Sequence, residues 1–144
     1  MGGPFMRGKA STMNSAKHAS QIYAKSAIET ADRRELEASL LLRAAAQLQS
    51  VRDRWSESRS GLQEAVLYNR RLWLIFIDAV SNDQNGLPPP VRQNILNIGG
   101  FVLGEIFSLM TKPDPVHLEN LIRINRKLAA GLSGQPGRQA TEPA

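Results

Sequence analysis

The sequence predicts an all-α protein, a single-domain helical bundle of about five helices. Three observations carry this. Apolar residues recur at three-and-four spacing through most of the middle of the chain, as one face of a helix requires. Helix start and stop signals punctuate that pattern at intervals of one helix length. Aromatic residues make up only 6% of the 144 residues, and no stretch alternates like a half-buried strand. That length suits one core and is too short for two independent domains.

The first helix is placed after Ser15 as N-cap, with Ala16, Ala19, Ile22, Tyr23 and Ala27 on one side. It is Ala-rich and short, so it needs docking to persist, with Ile22 and Tyr23 as anchors. Glu29-Thr30-Ala31-Asp32 reads as a break. Asp32 and Glu35 then form a capping-box pattern for a second helix, whose stripe is Leu36, Leu40, Ala44, Leu48, Val51 and Trp55, widened by Leu41 and Ala45. After a polar turn, Ser56 to Gly61, a second capping box at Ser60 and Gln63 opens a third helix running to about Ser81. Leu74, Ile75 and Ile77 make this helix apolar around most of its circumference. The run Leu72 to Ile77 is also compatible with a strand, but helical spacing continues on both sides of it.

Pro88-Pro89-Pro90 introduces the fourth helix, with Val91, Ile95, Ile98, Val102, Ile106 and Leu109 as its stripe. Gly99, Gly100 and Gly104 in its interior predict a kink or a close helix–helix approach. They do not form a phosphate loop, since no strand precedes them and no Lys-Ser/Thr follows. Lys112-Pro113 ends the helix, Asp114 caps the next, and Pro115 takes its first position. Leu118, Leu121, Ile122, Leu128, Ala129 and Leu132 line this last helix. Outside the helical domain, residues 15–132, we expect a disordered extension or expression remnant over 1–14 and a disordered tail over 133–144.

The charge of +5 invites a nucleic-acid reading. Between residues 16 and 132, however, basic and acidic residues interleave, as in Asp32-Arg33-Arg34-Glu35, where a phosphate-binding surface needs one-signed clustering. RNA is not expected as a direct ligand. The absence of cysteine excludes disulfides, thiolate metal sites and a thiol nucleophile. No unbroken apolar run approaches a bilayer span, and the first residues lack a secretory apolar core, so a cytoplasmic protein without a membrane partner is expected. His18 and His117 share no metal-ligand spacing, and no nucleophile–base pair can be assembled, so neither enzyme activity nor a cofactor is expected.

Two polar residues stand at apolar positions. Asn69 interrupts the third helix's stripe between Val66 and Trp73, and Asn125 the last helix's stripe between Ile122 and Ala129. A buried amide without partners costs about 1–3 kcal/mol, so each must bond something. Either they cap a neighbouring helix or loop carbonyl inside the core, or they line a groove and meet a partner's backbone.

Tyr23, Arg34-Glu35-Leu36-Glu37, Leu40-Leu41-Leu42, Leu67-Tyr68-Asn69-Arg70-Arg71-Leu72-Trp73, Leu87-Pro88, and Ile124-Asn125 with Gly131-Leu132 together resemble the FlaF family of flagellar biosynthesis regulators. The likeness covers about residues 15–132 in order, and Asn69-Arg70-Arg71-Leu72-Trp73 is its most specific part. The resemblance implies a small cytoplasmic helical protein, without enzymatic activity or cofactor, that promotes flagellin synthesis and export by binding flagellin. An alternative is post-transcriptional control through FlbT or flagellin mRNA, with FlbT as a second candidate partner. On this reading Tyr23, Asn69, Arg70, Arg71, Leu74, Ile75, Ile77 and Asn125 are the candidate partner-binding residues. An apolar strip on the third helix would receive a partner helix, and the two arginines would orient it. The sequence leaves the oligomeric state open.

Overall fold

A computed structural model describes residues 3–82 and 86–134, with side chains described from Asn14 onward. It contains four helices: α1 Gly3–Asp53, α2 Leu62–Ser81, α3 Pro89–Thr111 and α4 Pro115–Leu132. The fold class is all-α, as the pattern predicts, with four helices in place of about five. The first two expected helices are one. No Gly or Pro occurs between Lys9 and Ser60, so nothing breaks the backbone at Glu29–Asp32. Thr30 stays within the helix and donates its hydroxyl to the Ser26 carbonyl at 2.8 Å. Ser15 and Asp32 are therefore interior helical residues rather than caps. The segment expected to be an unfolded extension has helical backbone from Gly3. The expected disordered tail lies, from residue 135 on, outside the described residues.

Each helix packs on its neighbour in sequence, and α1 packs most extensively on α4, which closes the set into a four-helix bundle. The α1–α2 turn ends at Gly61, whose φ of 84° lies in the left-handed region that glycine occupies without strain. Gly61 is the N-cap of α2, so Ser60 does not cap it. The Ser60 carbonyl instead accepts from Arg54 Nη2 at 3.2 Å. Asp114 caps α4 as expected, accepting the Val116 N–H at 2.9 Å, with Pro115 at the first position.

The core is built from Leu41, Ala44, Ala45, Leu48 and Val51 of α1, Val66, Trp73 and Phe76 of α2, Val102, Ile106 and Leu109 of α3, and Leu118, Leu121 and Ile122 of α4. Trp73 is fully buried and meets Phe76 edge-to-face, ring centroids 6.1 Å apart. In α1 the buried line centres on Leu41 rather than on Leu36 and Leu40; Leu36 is exposed. Ala38 is the first buried residue of α1 among those described. Before it, residues 31–37 run along the mouth of the bundle, where Ala31, Arg34 and Glu35 line a cleft with Leu87, Val91 and Leu132, and residues 14–29, exposed throughout, extend beyond it as a helical arm about 24 Å long.

Candidate docking surface

The structure distributes the eight sequence-selected residues over three environments. Asn69 and Asn125 have zero exposure, so neither is a contact residue of the closed bundle. Neither caps a helix end or a loop carbonyl. The Trp73 indole N–H donates to Asn125 Oδ1 at 2.8 Å, and Asn125 Nδ2 donates to Asn69 Oδ1. The direction of this chain is set by the indole, which can only donate. It ends at Asn69 Nδ2, a buried donor with no protein acceptor.

On α2, Ile77 is half-buried because it sits on Gly99 of α3. A Cβ at Gly99 would lie 2.8 Å from Ile77 Cδ1 and Cγ1, so the glycine is what lets α2 and α3 approach. Ile77 therefore belongs to the helix–helix contact and is withdrawn from the docking set. Of the three glycines, only Gly99 serves this approach; Gly100 and Gly104 face open space. Arg70, Arg71, Leu74 and Ile75 are exposed. Helical spacing puts Arg70 and Leu74 on the same flank of α2 as Ile77, toward α3, while Ile75 lies on the opposite flank. Tyr23, 79% exposed, is on the α1 arm, 14 residues before Glu37 and hence about 21 Å further out along the axis. The structure thus does not bring the eight residues together as one groove.

It assembles a different surface beside Leu74. With Ile77 on Gly99, helical spacing puts Leu67 and Leu74 of α2 and Leu96, Leu103, Phe107 and Met110 of α3 on the flanks beside that contact. Phe107 and Met110 stand on this flank of α3, 68% and 55% exposed. They are joined by half-buried Leu96 and Leu103 and by the exposed edges of Leu67 and Leu74.

The surface is nearly free of charge on its α3 side. Between Arg92 and Lys112 the only ionisable residue is Glu105. Its Oε2 is engaged by α4, with Asn120 Nδ2 donating at 2.9 Å and His117 Nδ1 at 2.8 Å. By length and composition α3 is apolar enough to cross a bilayer, which an unbroken-run criterion does not detect because glycines and neutral amides interrupt it. Its inner line, Ile95, Gly99, Val102, Ile106 and Leu109, is buried in the bundle. The signal that points to this surface in the sequence is the long gap in charge over 93–111, not the run of bulky residues in α2.

A second feature has no forerunner in the sequence pattern. Where α1 leaves the bundle, a cleft of about 250 Å³ opens, floored by Phe76, Val80, Ile95 and Leu132 and rimmed by Arg34 and Glu37. Glu37 is held above the usual carboxylate range, first by burial, against the lowering effect of Arg33 and Arg34. Among the described residues no group of three or more His, Asp or Glu is placed to hold a metal ion.

These features define a four-helix bundle with an exposed apolar surface along α2 and α3. Residues 19–132 match the family described as flagellar protein FlaF, and the chain belongs to that family. No curated protein and no solved structure matches it.

Proposed function

We propose that this FlaF-family protein is a non-enzymatic cytoplasmic chaperone that binds flagellin and so promotes its synthesis and export. The observation that supports this reading is the α2–α3 surface, where exposed Phe107 and Met110 of α3 lie on the flank toward Leu67 and Leu74 of α2 and the stretch of α3 between Arg92 and Lys112 carries no ionisable residue but the engaged Glu105. A protein subunit awaiting export must be kept from polymerising, and an apolar face does this by covering the subunit's own amphipathic helix. Arg70, on the same flank, and Arg71 beside it orient the bound helix by charge.

Co-purification of flagellin with Leu74→Asp and Phe107→Asp variants tests the proposal. Both positions are exposed, so far-UV circular dichroism should remain that of the parent, and flagellin capture should fall sharply. Ile77→Asp is unsuitable because it would break the seat on Gly99. Undiminished capture by folded variants would overturn the docking site. The same variants titrated against FlbT separate the two protein partners. The mRNA alternative predicts a steep loss of binding with salt, which an apolar surface does not share.

A further inference from the structure

From Asn120 to Leu132, α4 carries Arg123, Arg126 and Lys127 and no acidic residue. All three are exposed. Their three- and four-residue spacing sets them on one side of the helix, where like charges repel and disfavour the helix itself. They do not serve the helix end either. The last turn of α4 holds no basic residue, and the attraction between a cation and a helix C-terminus fades within that turn.

The three cations border a hollow of about 530 Å³ between α4 and the end of α1, to which Arg52 adds a fourth. Two carboxylates line it as well, and each is engaged within the chain. Arg52 holds Glu119 Oε1 from Nη2 at 2.7 Å and from Nε at 2.8 Å, and Asp53 Oδ1 accepts from Gln49 Nε2 at 2.8 Å. Arg123 and Arg126 reach only neutral amides, Asn120 Oδ1 at 2.8 Å and Gln49 Oε1 at 3.5 Å. Neither they nor Lys127 form an ion pair among the described residues.

The residues of the hollow select among anions. Its one ion pair, Glu119 on Arg52, shows a guanidinium there gripping a carboxylate. Glu119 and Asp53 repel a continuous row of phosphates, and no aromatic side chain lines the hollow for a base to stack on. Carboxylates spaced along a peptide meet the cations and pass between the two acids. We infer that the α1–α4 face binds an acidic segment of a second polypeptide, whose glutamate or aspartate side chains pair with Arg123, Arg126 and Lys127. In the bundle α1 and α4 adjoin, as do α2 and α3, so this face lies opposite the apolar α2–α3 surface and both can be occupied at once. The inference does not rest on the flagellin reading.

Fluorescence anisotropy of the full chain with two labelled alanine-based peptides tests it. Both peptides carry the same number of glutamates, placed on a single helix face in one and spread around the helix in the other. The one-faced peptide is expected to bind about fivefold tighter or better, and to lose affinity as salt is raised. Arg123→Glu and Arg126→Glu each weaken it about fivefold, because repulsion replaces a pair. Lys25→Glu makes the same change of net charge on the α1 arm and leaves binding unchanged. All three positions are exposed, so the circular dichroism of the variants should remain that of the parent. Absence of binding, equal binding of the two peptides, or an equal effect of Lys25→Glu would overturn the inference. So would tighter binding of a single-stranded RNA of the same charge, or self-association of the chain in light scattering that Arg126→Glu abolishes.

Discussion

The two halves of α1 share one helix and one seam, yet only the second half is buried. From Ala38 to Val51 the seam carries Leu and small apolar residues, and α2 and α4 close on it. From Asn14 to Glu37 it carries Ala, Ser, Thr, Tyr and a charged step at Arg34 and Glu37. Helix formation does not separate these halves; side-chain volume and charge do. The charged step ends the bundle, because continuing the core past it would bury both groups. The fold therefore divides into a sealed interior and open surfaces, and matched substitutions on either side separate them.

The largest contrast is between two aromatic residues. Trp73→Ala removes a fully buried side chain at the centre of the core and a donor to Asn125, and is expected to cost about 3–5 kcal/mol. Tyr23→Ala on the arm is expected to change bundle stability by less than about 0.5 kcal/mol. Urea unfolding followed by tryptophan fluorescence for Tyr23→Ala, and by circular dichroism for both, measures the difference. A Tyr23 effect approaching that of Trp73 would mean that the arm is packed on the bundle after all.

Within the sealed half, the buried amide chain is asymmetric. Asn125 has two partners, so Asn125→Leu strands the Trp73 indole N–H and the Asn69 carbonyl oxygen and should cost about 2–4 kcal/mol. Asn69→Leu strands only Asn125 Nδ2 and also removes a donor that is already unpaired, so it should cost about 1 kcal/mol or less. Equal costs in urea midpoints would show that Asn69 Nδ2 has an acceptor, such as an internal water, of similar value.

The glycines of α3 repeat the contrast at smaller scale. Gly99→Ala drives a methyl group into Ile77 and should destabilise by about 1 kcal/mol despite the gain in helix propensity. Gly100→Ala meets open space and should stabilise by about 0.5–1 kcal/mol. Thermal melts of the two variants moving in opposite directions confirm which side of α3 is sealed.

Much of this division is legible in the residues. The proline-marked start of α3 and the Asp114–Pro115 start of α4 are local chemistry, and both hold in the structure. Asn69 and Asn125 announce a buried polar pair by their position in apolar stripes, although spacing alone cannot say that they bond each other across two helices. The break at Glu29–Asp32 fails as a reading because capping residues inside a long stretch without Gly or Pro have no power to stop a helix. The exposed apolar flank is hidden for a related reason. Periodicity identifies apolar faces, but which of Leu74, Ile75 and Ile77 is covered depends on how closely α3 approaches, and that is set by Gly99. The cleft at the mouth is formed by parts of all four helices, so no single segment carries its signature.

That mouth is also where the sealed and open halves of α1 meet, and Glu37 reports on it through pH. Its side chain keeps 26% of its exposure and lies 3.8 Å from Arg33, yet burial outweighs the arginines and raises its folded pKa above the 4.5 of an unfolded glutamate. A raised carboxylate pKa means that the folded state binds the proton more tightly than the unfolded one. The charged form therefore carries a stability penalty that is complete above the folded pKa, shrinks as the pH falls through it, and is gone below the unfolded value. Glu37→Gln removes the charge and with it the penalty. The variant should melt slightly above the parent at pH 7, with the gap closing as the pH is lowered toward 4.5. A parent more stable than the variant at pH 7 would mean that the Arg33 ion pair outweighs burial, and that the charged step is a contact of the bundle rather than its limit.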